Sequence, residues 1–444
     1  MQSLVVAAVG LIAVAGCSDA ITLEIAGDRP IPTAIDSICV GVADADAGGG
    51  AFGRAYRLEG NLATLPQSLR IEAGGADAAW AWVRADRGGV PIATAGAAID
   101  FSRDVTLSFD RCVRGPGGAP SVIGDPAGPA NARLAASQGA GGTLVVAAGA
   151  TVVVLDARSG ALIESEAPAL RAGAVVAILA ADLDGDCDDD LVIATDGDAP
   201  VLWRRDGMTF TEVGALGPAP IAAVAVADVE RDGDLDLVTG GGGTLSLWLN
   251  DAAGNFTREP AALSAGGRVA AISALALGDL DGDGSADLVV GQSPGPLRAW
   301  LGTSGSFVAA EAVLPAVALD VARLALTDAD ADFDPDLAVA VRGQPMRLYV
   351  DREGRLEDQS FVRLPQPAPI ASAIAFAGWD DGCEPDAVIA STAGGPVLRG
   401  APNGVLMIEA PAPPASDVVT ADVDDDGDLD ALLAGADGVT WLAR

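Results

Sequence analysis

Ala181–Thr195, reading ADLDGDCDDDLVIAT, decides the fold. Its acids alternate: Asp182, Asp184, Asp186, Asp188 and Asp190. A turn built this way offers many carboxylate oxygens within a few ångströms, the supply that a hard cation with about six to eight oxygen ligands requires. The apolar run that follows, Leu191–Ala194, reads as a strand. The pattern returns five more times. Counting its first ligand position as position one, the repeats start at Asp182, Asp228, Asp279, Asp328, Gly378 and Asp422, at intervals of 46, 51, 49, 50 and 44 residues. A period of this size marks a propeller or a solenoid.

The flanks repeat as well. DLVIAT, DLVTGG, DLVVGQ, DLAVAV, DAVIAS and DALLAG follow the acidic loops as second strands. Some 12 residues past position nine comes an aromatic on a third strand: Trp203, Trp248, Trp300, Tyr349 and Trp441. Their regular spacing predicts packing between repeats. Turns such as Gly254-Asn255 and Asn403-Gly404 lead to a fourth strand, carrying Phe210, Phe256 or Phe307 in three repeats. Ile221–Ala227 and Val418–Ala421 exemplify an apolar first strand before the loop. Each unit is therefore a four-stranded antiparallel blade, and an all-β propeller closes such blades radially, leaving few exposed edges. Thr143–Pro168 reads as a first blade without an acidic loop, and the last repeat stops after its third strand. Seven blades, with an N-terminal segment completing the ring, is the expectation; six is the alternative.

The loops resemble the FG-GAP/VCBS repeats of integrin α-subunit-like propellers, whose hallmark is D-x-D-G-D-G-x-x-D-L between two strands. The resemblance covers about residues 140–444. It implies Ca²⁺ held by side chains at positions one, three, five and nine and a carbonyl at seven. Carried over, the ligands are Asp182, Asp184, Asp186 and Asp190, with Asp188 as carbonyl donor; and Asp228, Glu230, Asp232, Asp234 and Asp236, where Glu230 and Arg231 depart from Asp and Gly. The third loop, Asp279, Asp281, Asp283, Ser285 and Asp287, is the cleanest. The fourth offers Asp328, Asp330, Asp332, Asp334 and Asp336, with Ala331 and Phe333 in place of both glycines; a positive φ at Phe333 would be strained. The sixth offers Asp422, Asp424, Asp426, Asp428 and Asp430. In the fifth, Gly378 and Gly382 stand at positions one and five, leaving Asp380, Glu384 and Asp386. About five calcium sites are implied. An EF-hand is excluded, because it needs a bidentate Glu at position 12 and flanking helices.

Composition narrows the function. The net charge of −36 argues against nucleic acid, whose phosphates demand a basic surface. Thirty of the 62 acids fall in the six loops, so the charge is local. Histidine is absent, which removes Ser-His-Asp and Cys-His machinery and imidazole zinc sites.

Leu4–Ala15 has the length of a signal-peptide core, and Val14-Ala15-Gly16-Cys17 resembles a bacterial lipobox, although Met1-Gln2-Ser3 carries no basic residue. The expected organisation is a leader over 1–16, a lipidated Cys17 opening a small β-sandwich over 17–114, a Pro/Gly-rich linker over 115–130 and the propeller over 131–444. A lipid-anchored position on the bacterial cell envelope follows. Cys39 and Cys112 bracket the sandwich and are its expected disulfide; Cys187 and Cys383 share a loop register. Trp80 and Trp82 share one face of a strand and read as core.

With calcium structural, the expected role is a binding or adhesion module for a protein or glycan. The alternatives are a polysaccharide lyase or glycosidase, with Glu164, Glu166, Glu357 and Asp358 as candidate acids, or a lectin.

Overall fold

The computed structural model describes residues 4–6, 20–27, 37–44, 52–57, 67–72, 79–87, 90–99, 104–109, 121–127 and most of 132–443. Within that last stretch it leaves out 139–142, 149–151, 157–161, 165–173, 218–219, 261–262, 264–268, 270, 304, 331–333, 353, 378–384, 402–403 and 424–428.

Seven four-stranded antiparallel sheets form a propeller. Blade 1 comprises Arg133–Ser137, Leu144–Ala148, Val152–Asp156 and Ile163–Glu164. Blade 2 comprises Val175–Ala181, Asp190–Thr195, Val201–Asp206 and Thr209–Ala215. Blade 3 comprises Ala223–Ala227, Asp236–Gly241, Thr244–Leu249 and Thr257–Glu259. Blade 4 comprises Ile272–Gly278, Asp287–Gln292, Arg298–Gly302 and Phe307–Ala309. Blade 5 comprises Val321–Thr327, Asp336–Val341, Arg347–Asp351 and Leu356–Asp358. Blade 6 comprises Ala373–Ala377, Asp386–Ala390, Pro396–Ala401 and Val405–Pro411.

Blade 7 has only three strands of its own, Asp417–Ala421, Asp430–Gly435 and Gly438–Ala443. Its fourth is Ser121–Ala127, antiparallel to Gly438–Ala443. This settles the blade count at seven and corrects one expectation: the Pro/Gly-rich stretch 115–130 contains the closing strand. Pro126 does not prevent this, because an outermost strand bonds a neighbour on one side only. Each first strand neighbours the first strand of the next blade, and that of blade 7 neighbours blade 1, so the ring is closed around a central channel.

Second strands are buried along nearly their whole length, with one face against each neighbouring blade. That explains why the sequence shows unbroken apolar runs there rather than alternation. Convergence on the axis also explains the Ala and Gly content. A Cβ on Gly240 would lie 2.7 Å from Ile272 of the next blade, and one on Gly291 would lie 2.6 Å from Val321.

Among the described residues of the propeller, seven apolar clusters form, each drawn from two adjacent blades. Trp203 packs at the junction of blades 1 and 2, Trp248 at that of 2 and 3, Trp300 at 3 and 4, and Tyr349 at 4 and 5. Burying a large side chain of this kind contributes about 1.5–3 kcal/mol. Trp441 differs from the pattern that spacing suggested. The other aromatics each pair with the apolar residue at position ten, as in Leu191–Trp203 and Leu288–Trp300. In blade 7 that partner is Leu442, opposite Ala431, while Trp441 lies opposite Leu432. One step along a strand reverses the face. Leu442 therefore packs toward blade 6, and Trp441 packs into the closing junction with blade 1.

The N-terminal region holds two further four-stranded sheets. In one, Ala20–Gly27 pairs with Gln67–Glu72 and, in parallel, with Val105–Phe109. In the other, Ser37–Asp44 lies between Phe52–Arg57 and Ala79–Arg87. Ile21, Leu23 and Ile25 alternate into the interior, as do Ala81, Val83 and Ala85. Leu4–Val6, inside the segment read as a leader, pairs with Gln67–Glu72. Cys17, Cys112 and Cys383 lie outside the described residues, as do the side chains of Cys39, Trp80 and Trp82.

The closing strand yields a test. A chain beginning at residue 115 is expected to keep the melting temperature of the propeller, whereas one beginning at residue 128 should melt many degrees lower. Calorimetry of the two truncations checks this.

Candidate metal centres

Each loop joins the first strand of a blade to the second, and in three of them the backbone is described throughout. Positions four and six both take left-handed φ: Gly185 (78°) and Cys187 (70°), Arg231 (62°) and Gly233 (104°), Gly282 (74°) and Gly284 (83°). This double reversal turns the amides inward onto the position-one carboxylate. Asp182 Oδ1 accepts from the amides of Gly185 (2.9 Å) and Asp186 (3.1 Å), and Oδ2 from that of Cys187 (3.0 Å). Asp228 repeats this with Arg231, Asp232 and Gly233, and Asp279 with Asp283 and Gly284. The two glycines of the motif are thus set by backbone geometry. Arg231 and the buried Cys187 hold it with a Cβ, at about 1–2 kcal/mol each. Phe333 falls outside the described residues.

Position five closes the next turn. Asp186 Oδ1 accepts from the Asp188 amide at 2.9 Å, and Asp283 Oδ1 from Ser285 at 2.7 Å. Position nine ties loop to blade. Asp287, fully buried, accepts from the Leu280 amide (2.6 Å) within its loop and from the Gly302 amide (2.7 Å) at the end of the third strand. Asp236 bridges Val229 and Asn250 in the same way, and Asp336 bridges Ala329 and Asp351. Asp190 accepts from Arg205, Asp386 from Gly400 and Asp430 from Val423. The fifth loop therefore keeps its staple at Asp386 although positions one and five are glycine. Its remaining candidates, Asp380 and Glu384, lie outside the described residues, as do Asp332, Asp424, Asp426 and Asp428.

Three groups of acids converge with carboxylate oxygens within 4.8 Å of one another: Asp182, Asp184 and Asp186; Asp279, Asp281 and Asp287; Asp328, Asp330 and Asp336. In the second loop the described acids form no such group. There Glu230 lies against Asp232, and this contact, after burial, raises the Glu230 carboxyl. Two of the converging groups hold a buried carboxylate oxygen with no hydrogen-bond partner, Asp184 Oδ1 and Asp330 Oδ1. An all-oxygen donor set with such orphans suits a hard divalent cation.

Electrostatics agree. Burial first, then neighbouring carboxylates, pushes Asp186 up to about 7, Asp190 to about 8 and Asp287 to about 7. Asp234 rises to about 7 from the same causes. A cation removes the need for these groups to take up protons.

One role of the loops was not visible in the sequence. In blades 3, 4, 5 and 6 the turn between the third and fourth strands sits on position three of the preceding loop. A Cβ on Gly254 would lie 3.5 Å from that of Asp184, one on Gly305 3.6 Å from that of Glu230, and one on Gly354 3.8 Å from that of Asp281. A Cβ on Gly404 would lie 2.5 Å from that of Asp330. Arginines reinforce two of the junctions. Arg204 Nε meets Asp184 at 2.9 Å while its Nη2 donates to Ala253 of blade 3 (2.6 Å). Asp330 receives both Arg352 (3.0 Å) and Arg363 (2.9 Å). Asn250 Nδ2 reaches back to the Leu183 carbonyl (2.7 Å), and buried Arg205 to Ser137. Asp189, at position eight, takes the Gln138 amide at 2.9 Å and so joins blade 2 to blade 1. The recurring turn glycine was the available signal; its contact with the neighbouring repeat is long-range.

The two kinds of acid separate by experiment. Asp287→Ala leaves two buried amides unpaired and is expected to cost about 2–4 kcal/mol already in chelator, and more with metal because Asp287 belongs to the converging group. Asp281→Ala removes one long hydrogen bond, from the Asp283 amide at 3.3 Å, and should change chiefly the metal-dependent part of the stability. Denaturant melts of both variants in chelator and in divalent cation check this.

A family model for the FG-GAP-like repeat matches residues 182–239, 228–290 and 279–339, each match starting at position one of a loop and ending in the second strand of the next blade. No curated protein matches the chain. Solved structures similar to it include BBS1N in complex with ARL6DN (15% identity, TM-score 0.47, covering 73% of this chain and 97% of that one). Others are an Agrocybe aegerita lectin specific for non-reducing terminal N-acetylglucosamine (14%, 0.46, 70% and 86%) and Saccharomyces cerevisiae Sqt1 (12%, 0.43, 94% of each). The chain is a seven-bladed β-propeller that carries FG-GAP-like repeats in three tandem copies.

Proposed function

We propose that the protein is a calcium-stabilised binding module, held on the bacterial cell envelope by a lipid on Cys17, and that it presents the propeller to a protein or glycan partner. The observation that carries the calcium reading is the orphaned, buried oxygen in two of the converging acid groups, Asp184 Oδ1 and Asp330 Oδ1. Calcium there neutralises the crowded carboxylates of a loop that already touches the next blade. Its binding free energy then stabilises the blade and the junction together.

The binding role follows from what the acids do. Position one orders its turn and position nine staples the blade, which is scaffold work. The candidate acids of the enzymatic alternative are poorly placed. Glu357 and Asp358 are consecutive on one strand, so their side chains leave opposite faces, and Asp358 is engaged by Arg347 at 3.3 Å. Glu164 is the last residue of the outer strand of blade 1, and Glu166 lies outside the described residues.

Two outcomes are expected. Chelation should lower the melting temperature by many degrees and added Ca²⁺ restore it. The raised carboxyls fix the sign of the pH dependence: the metal-free folded state binds more protons than the unfolded chain, so its stability falls as pH rises from about 4 to about 8. The calcium effect should therefore grow over that range, and a pH-independent gap would contradict it. For the partner, a glycan array and a pull-down from surface extracts, each with Ca²⁺ and with chelator, should show calcium-dependent capture. Turnover of a polysaccharide by the purified protein would overturn the reading in favour of an enzyme.

A further inference from the structure

The first strands run toward the metal loops, so their starting ends lie at the opposite mouth of the channel. Arg133 opens the first strand of blade 1 and Asp417 that of blade 7. Asp417 lies five residues before position one of its loop. The same level in blade 5 is Arg323, and in blades 2, 3, 4 and 6 it is Ala177, Ala223, Ala274 and Ala373. Three charged side chains thus share a level otherwise made of alanine.

They meet. Arg133 Nη1 lies 3.9 Å from Asp417 Oδ2, and Arg323 Nη2, reaching past blade 6, lies 3.8 Å from the same oxygen. Both separations exceed hydrogen-bond length. That oxygen already accepts the Leu134 amide at 3.2 Å. Among the described residues, Arg323 donates only to the adjacent Ala322 carbonyl (3.1 Å) and Arg133 donates no hydrogen bond. The two arginine side chains are partly sheltered, 29% and 27% exposed, so each keeps some solvent contact.

The charge does not balance either. Two guanidinium groups face one carboxylate, and the nearby Arg342–Asp320 pair (3.3 Å) is neutral by itself. Burial, followed by repulsion from Arg323, lowers the Arg133 pKa, against the opposing pull of Asp417. At the same end of blade 4, the Ser273 hydroxyl is buried without a partner. In a chain of net charge −36, this convergence of two guanidinium groups on one carboxylate is a local feature of the innermost strands, since Asp196, Asp198 and Asp437 lie in turns at the same end of their blades.

We propose that Arg133 and Arg323 form a binding site for an oxyanion group, a carboxylate or a phosphate, at the channel mouth remote from the metal loops. A guanidinium presents a planar fork of donors that matches such a group bidentately, and two forks from different blades can grip it from two sides. Asp417 acts as the internal counter-charge that the ligand displaces. The site is independent of the calcium reading and of the partner's identity: anion binding can fail while glycan or protein capture succeeds, and the converse.

The test is isothermal titration of the full-length, calcium-saturated protein with sulfate and, separately, with acetate. Saturable one-to-one binding of at least one probe is expected, sulfate preference marking a phosphate-type site and acetate preference a carboxylate site. Arg133→Gln and Arg323→Gln should each weaken it about tenfold or more, with the Arg258→Gln control unchanged. Asp417→Asn should tighten it about tenfold, a gain that misfolding cannot produce. Absence of saturable binding in both the parent protein and Asp417→Asn would overturn the proposal, as would equal affinity in a cooperatively melting Arg133→Gln.

Discussion

The buried carboxylate at position nine is the interaction on which the rest of the propeller depends. One oxygen holds the amide of position two in the loop, and the other holds the amide that ends the third strand, as Asp287 does with Leu280 and Gly302. A carboxyl group has the two acceptor oxygens that holding both amides requires, which a hydroxyl or amide side chain with a single oxygen lacks. The same residue is the first of the second strand, so loop, second strand and third strand are fixed at one point. The fifth loop makes the hierarchy plain: it has lost positions one and five but retains Asp386 on the Gly400 amide. Metal affinity and blade integrity are separate demands, and the second outlasts the first.

Position one has a related double character. Its carboxylate organises three inward amides, which accounts for a preference for Asp without any ion. What the hydrogen bonding does not account for is position three. Asp184 and Asp330 each keep an oxygen buried and unbonded, and each lies under the turn of the next blade. Ion coordination and blade-to-blade contact therefore coincide at one residue, so a cation in one loop can stiffen the boundary with its neighbour. The arginines at Asp184 and Asp330 supply part of that neutralisation from protein alone.

Much of the fold was legible because its signals are local and repeated. A nine-residue acidic loop followed by an apolar run recurs six times, and each blade repeats one strand order. Less legible were features that depend on pairing between distant residues. Spacing alone placed Trp441 with the other aromatics, but a one-residue difference in register turned it to the other face. The Pro/Gly content of 115–130 concealed a strand, because an outer strand needs hydrogen bonds on only one side. The acids of each loop were read from the motif, whereas the second loop's described acids gather no group of three, and there Glu230 turns to Asp232. Arg133, Arg323 and Asp417 belong to three separate blades and share no sequence motif.

The closing strand has a consequence for how the molecule comes into being. Blade 7 pairs Ile123 with Trp441, so the first propeller residues to leave the ribosome wait for nearly the last. Six blades can form as the chain lengthens, each from contacts within about fifty residues, but the ring remains an open arc until the final strand arrives. During that interval the cluster that buries Trp441 between blades 7 and 1 exists only as two unpaired faces. Such faces and a free strand edge are what neighbouring chains would join to. Ring closure is thus both the last step of assembly and the moment at which the molecule becomes self-contained.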